Sequence, residues 1–117
     1  MLLETDDELL KEIENIRYKN LLVIVEGKKD KIAMNKFGIK NVKTINRALF
    51  EVVEEINNKE VVLLTDLDRE GKKLFHVLNS VLQRRRIKVN NKLRNILFRS
   101  SLSNIEGLDS YLRFGQL

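Results

Sequence analysis

Two short apolar runs, Leu21–Val25 and Val61–Leu64, each give way to an acid-bearing loop and then to a helical pattern. The second run opens into Thr65-Asp66-Leu67-Asp68-Arg69-Glu70-Gly71, so that Asp66, Asp68 and Glu70 sit where a buried strand stops and a helix starts. Runs this short and continuously apolar suit strands covered on both faces. Strands of five or six residues alternating with helices of ten or more dictate a parallel sheet with right-handed crossovers. The expected class is therefore α/β, a three-layer Rossmann-like arrangement with a mostly parallel sheet of about four strands between helices.

The rest of the chain fills in that frame. Thr5 with Glu8 three residues on reads as a capping box opening a helix to about Lys19, with Leu9, Ile13 and Ile16 on one face and Asn20 as a left-handed stop. Lys28 to Phe37 reads as a helix ended by Gly38, and Asn41 to Ile45 as a second strand. Asn46 is the predicted cap of a third helix carrying Leu49, Val52, Val53 and Ile56, which Asn57-Asn58 ends. Glu60 to Thr65 is the third strand. The fourth helix, Lys72 to Gln83, places Leu74, Val77, Leu78, Val81 and Leu82 on one stripe. Ile87 to Asn90 fits a strand or a loop, Lys92 to Phe98 a helix, and Ile105 to Phe114 a short closing segment.

The 117 residues fit one domain, with an N-terminal helix at about 5–19, a motif core at about 20–84 and a basic part at 84–117. No apolar run approaches the ~20 residues of a membrane span. The start, Glu4-Thr5-Asp6-Asp7-Glu8, is acidic where a signal peptide is basic, which points to a cytoplasmic protein. Zero cysteines and one histidine exclude thiolate zinc and histidine-rich metal sites. Any metal must be an oxygen-liking ion, Mg²⁺ or in its place Mn²⁺.

In open parallel sheets, ligands bind beyond the carboxyl ends of the strands. Glu26 follows the first strand; Asp66 and Asp68 follow the third. If those strands are neighbours, their ends lie about 5 Å apart and the carboxylates converge. Two carboxylates ~4 Å apart repel by about 4 kcal/mol at the effective dielectric of a protein surface, and a divalent cation relieves this. Gly27 and Gly71 leave the backbone open to a ligand, and the helices behind both loops aim their N-termini at the crevice. The formal charge is +5, and Arg84, Arg85, Arg86, Lys88, Lys92, Arg94 and Arg99 form a run without acids that suits a phosphate backbone. Lys28, Lys29 and Arg69 are further phosphate candidates. Asp30 reads as a first-turn acid of its helix and His76 as a surface residue.

Val25-Glu26-Gly27-Lys28-Lys29-Asp30 and Asp66-Leu67-Asp68-Arg69-Glu70-Gly71 together resemble the Toprim domain, over about residues 20 to 110. The first motif is more similar to that of a ribosomal-RNA maturation nuclease. The second is more similar to that of type IA topoisomerases, although Leu67 stands where those have proline. Ile105-Glu106-Gly107-Leu108 is similar to small stand-alone Toprim proteins, known mainly from archaea. The resemblance implies that Glu26 acts as general acid or base and helps hold metal, that Asp66 and Asp68 bind Mg²⁺, and that Glu70 is a further acid. It implies a Mg²⁺-dependent nuclease or RNA-processing factor acting on nucleic acid, RNA favoured over DNA. The alternative is a non-catalytic metal- and RNA-binding module docked on a larger processing complex. Homodimerisation through a sheet edge is compatible with either. Topoisomerase activity of this chain alone is not expected, because the domain that would carry a tyrosine nucleophile is missing.

Overall fold

A computed structural model describes residues 4–45 and 49–99. The elements run α1 (Glu4–Lys19), β1 (Leu22–Val25), α2 (Lys28–Lys36), β2 (Val42–Thr44), α3 (Leu49–Glu54), β3 (Glu60–Leu64), α4 (Arg69–Arg84), β4 (Lys88–Asn90) and α5 (Lys92–Arg99). The strands form one sheet in the order β2-β1-β3-β4, with every pairing parallel. This is the expected α/β architecture. The segment left open between strand and loop is a strand, pairing Lys88 with Glu60 and Asn90 with Val62.

Side chains alternate across the sheet, and so build two cores. Val23, Val25, Val62 and Leu64 face one way, against Leu9, Ile13 and Ile16 of α1, Met34 of α2, and Leu93, Ile96 and Leu97 of α5. Leu22, Ile24, Val61 and Leu63 face the other, against Val53 of α3 and Leu78 and Leu82 of α4. Both central strands are thus buried on both faces, which is why they read as uninterrupted apolar runs.

The predicted stops at Asn20 (φ 51°) and Gly38 (φ 81°) are both left-handed. A third, Arg86 (φ 61°), was not anticipated. It ends α4 in a Schellman turn, with the Ile87 N–H bonded to the Leu82 carbonyl at 3.0 Å and the Arg86 N–H to the Gln83 carbonyl at 2.9 Å.

Other expectations need correction. Thr5 lies inside α1 rather than capping it, and Glu8 is engaged by Arg99 at 2.7 Å. α4 begins at Arg69, a turn before Lys72, because Asp68 caps it. Val77 is 49% exposed, since the buried line of α4 runs through Gly71, Leu78 and Leu82, roughly a third of a turn away. The Asn46 cap and the Ile105 to Phe114 segment lie outside the described residues.

Between α1 and α5, Glu12 is 3% exposed. Its Oε1 accepts from Asn15 Nδ2 at 3.0 Å, but Oε2 is buried without a hydrogen-bond partner. Burying a polar atom unpaired costs more than burying an apolar one of the same shape. Glu12→Met is therefore expected to raise the free energy of unfolding by about 1 kcal/mol. Urea titration checks this, and a loss of stability would mean that Oε2 is satisfied in solution.

Candidate metal centre

β1 and β3 are neighbours in register, Val25 opposite Leu64, so the loops that follow them emerge side by side. Across that gap the Asp66 N–H donates to Glu26 Oε1 at 3.0 Å, tying the two acidic loops together. In the second loop Leu67 turns into the core, 8% exposed. The residues on either side of it therefore turn outward, Asp66 half-buried and Asp68 exposed. Leucine in place of proline thus anchors the loop by burial instead of by a fixed dihedral.

Glu26, Asp66 and Asp68 line a single open cavity of about 460 Å³ together with Gly27, Lys28, Lys29 and Asp30. Asp68 has two duties. Its Oδ1 caps α4 by accepting from the Gly71 N–H at 2.8 Å, while its other oxygen makes no hydrogen bond among the described residues. Asp30 is 7% exposed and closes a box at the start of α2, its Oδ2 accepting from the Gly27 N–H at 3.0 Å. That is the helix-opening role expected of it.

Burial raises the Glu26 carboxyl above its ordinary pKa, and the Asp66 and Asp68 charges push the same way, against the lowering pull of the Asp66 N–H. An uncharged Glu26 is suited to give a proton, and a charged one to take it.

The two glycines differ in purpose. A Cβ on Gly27 would meet nothing nearer than Asp30 Oδ2 at 4.0 Å, so space stands open there. A Cβ on Gly71 would lie 2.1 Å from the Asp66 carbonyl oxygen. The first turn of α4 packs directly on the acidic loop, and Thr65 Oγ1 fastens it further by donating to the Gly71 carbonyl at 2.9 Å.

The remaining candidates are not all brought together. Glu70 does not line the cavity of Asp66 and Asp68; it faces an adjoining one shared with Glu26, lies 3.8 Å from Lys73, and is exposed. Arg69 is exposed at the start of α4. Arg84, Arg85 and Arg86 lie at the far end of that helix and Lys88 at the entry to β4, so they occupy the opposite edge of the sheet. Sixteen helical residues separate the two ends by about 24 Å. Nor is the basic run one surface: Arg85 bonds the Val53 carbonyl, Arg99 holds Glu8, and Arg94 is buried.

Arg94 is the residue that sequence reasoning misplaced. It is 7% exposed, with its guanidinium 4.2 Å from the Phe75 ring centroid, its Nε 3.3 Å from the Thr65 carbonyl oxygen and its Nη2 3.4 Å from that of Asp66. The only signal was its position beside Leu93, at the margin of the apolar face of α5.

The Toprim domain profile matches residues 20–91, taking in both acidic loops and all four strands. The chain belongs to the Toprim family. This Toprim chain is similar to small archaeal proteins. It is 34% identical over 116 residues to a UPF0292 protein of Methanocaldococcus jannaschii, covering 91% of each chain. It is 31% identical over 118 residues to one from Methanosarcina barkeri, covering 94% of this chain and 82% of the other. A solved structure of a protein from Aquifex aeolicus superposes with a TM-score of 0.77 at 32% identity, over 86% of this chain and 94% of that one. Toprim domains generally bind a divalent metal, typically Mg²⁺, and the family is associated with nucleic acid. Among the described residues no helix is long and apolar enough to cross a membrane.

The side chains present fit such an ion in one particular way. The donors are all oxygens, as a hard cation requires. Among the described residues, however, no three acids close into a cage. An ion held here would take one or two carboxylates from the described residues and keep several waters.

Proposed function

We propose that this Toprim protein is a Mg²⁺-dependent nuclease or RNA-processing factor that works by phosphoryl transfer. The observation that carries the reading is the shared cavity: Glu26, Asp66 and Asp68 line one open crevice whose wall also carries Lys28 and Lys29. Asp66 and the uncommitted oxygen of Asp68 would hold the ion. When bound, Mg²⁺ neutralises charge building on a phosphate and polarises its oxygen. Lys28 and Lys29, exposed in the first turn of α2, orient the phosphate beside the positive end of that helix. Glu26 moves the proton, with its Oε1 kept in place by the Asp66 N–H. Glu70, turned toward Lys73, is given no ligand role in this scheme.

RNA is the first substrate to try, and DNA the control. Labelled RNA and DNA incubated with Mg²⁺ are expected to be cleaved, and with EDTA to survive. Cleavage that is indifferent to EDTA would remove the metal from the mechanism. The thin donor set favours one rival, a module that binds metal and RNA without turnover. That rival predicts salt-sensitive RNA binding with no product under any divalent ion.

A further inference from the structure

Arg94 carries a buried positive charge without a carboxylate within ion-pair distance among the described residues. Such a charge is expensive unless its surroundings compensate for it. Its compensation here is indirect. The guanidinium spans the carbonyls of Thr65 and Asp66, the two residues that lead β3 into the acidic loop, and sits over the ring of Phe75 of α4. It also feels the Glu26 charge, which supports its protonated form against burial. Arg94 thus reaches from α5, on one face of the sheet, past the end of β3 to α4 on the other face. It does so directly behind the loop whose N–H fixes Glu26. α5 lies beyond the residues matched by the family profile, so this support is contributed from outside the motif-bearing part of the fold.

We infer that Arg94 is the positioning residue of the acidic crevice: by clamping the Thr65 and Asp66 carbonyls, it keeps the Asp66 N–H on Glu26 and the Asp66 carboxylate on the cavity. A planar guanidinium is the side chain suited to this, because its donors leave in fixed directions from a surface that also stacks on an aromatic ring. The inference rests on the proposed metal reading of the cavity.

The two contributions of Arg94 have opposite signs, and this makes the inference testable. As a bare charge it repels a cation, so Arg94→Met would tighten metal binding. As a clamp it organises a ligand loop, so the same change would weaken binding. Removing such an outer support of a metal site typically costs 10–100-fold in affinity. Mn²⁺ affinity by calorimetry, well below each protein's unfolding temperature, is expected to fall about tenfold in Arg94→Met. Amide hydrogen exchange at Asp66 should accelerate relative to Ile24 in the central strand, whose exchange reports global opening. Arg94→Lys keeps the charge and most of the buried stem, and carries the test if the methionine variant does not fold. It too should bind Mn²⁺ less tightly and lose protection at Asp66. Equal or tighter Mn²⁺ binding with Asp66 protection unchanged relative to Ile24 overturns the inference. If the wild-type protein binds no Mn²⁺, the metal reading fails, and the Asp66 exchange comparison alone decides the role of Arg94.

Discussion

Glu26→Gln is expected to lower Mg²⁺-dependent turnover by about 10²–10⁴-fold, the usual contribution of a positioned general acid or base. The same change is expected to make the metal-free protein more stable at neutral pH. Glutamine can still accept the Asp66 N–H through its amide oxygen, so the tie between the loops, 3.0 Å long, survives. What disappears is a half-buried carboxylate set against Asp66 and Asp68. The sign follows from linkage. The folded-state pKa of Glu26 is raised above its ordinary value of 4.5, so folding favours the protonated form. Stability therefore declines as pH rises from about that value through the raised one, and the ionised group remains a liability above it. The glutamine variant lacks this decline. Thermal unfolding across pH should show the two proteins converging in acid and the variant ahead at neutrality. Added Mg²⁺ should then stabilise the wild type more than the variant. A variant that is less stable at neutral pH, or equally responsive to Mg²⁺, would mean that Glu26 neither strains the site nor belongs to it.

Gly71→Ala should be the most damaging small substitution in the site. The added methyl would sit 2.1 Å from the Asp66 carbonyl oxygen and 2.6 Å from its carbonyl carbon, and both are backbone atoms that cannot rotate aside. Relief requires α4 to move off the acidic loop. That movement would strain the Asp68 cap and the Thr65 contact to Gly71 as well. A loss of about 3 kcal/mol is expected from overpacking, measured by denaturant unfolding. Gly27→Ala serves as the contrast, since its Cβ meets no protein atom nearer than 4.0 Å. It should fold normally, so any defect would appear in ligand binding. A Gly71→Ala protein as stable as the wild type would show that helix and loop are not in rigid contact.

Much of this was legible in the sequence because local rules and the global fold agree. The apolar runs at Leu21–Val25 and Val61–Leu64 could be covered on both faces only in a parallel sheet, and that sheet brings Glu26 beside Asp66 with no further assumption. Asn20 and Gly38 announced their left-handed turns by residue type. The failures occurred where tertiary contact overrode the local pattern. The rotation of α4 is set by Gly71 pressing on Asp66, which no periodicity of Leu74, Val77 and Val81 could reveal. Arg94 looked like one more cation in a basic run, because sequence spacing cannot tell that the flank of α5 meets two carbonyls and an aromatic ring. The same run looked continuous in one dimension, and the fold scatters it to separate places.

Arg84, Arg85 and Arg86 gather at the end of α4 away from its Asp68 cap, about 24 Å from the crevice. A polyanion drifting in from solution would be drawn first to the arginine pole and turned before it settles, since long-range fields govern approach more than final grip. Were the crevice catalytic as proposed, capture and chemistry would be separated by the length of α4, roughly 24 Å.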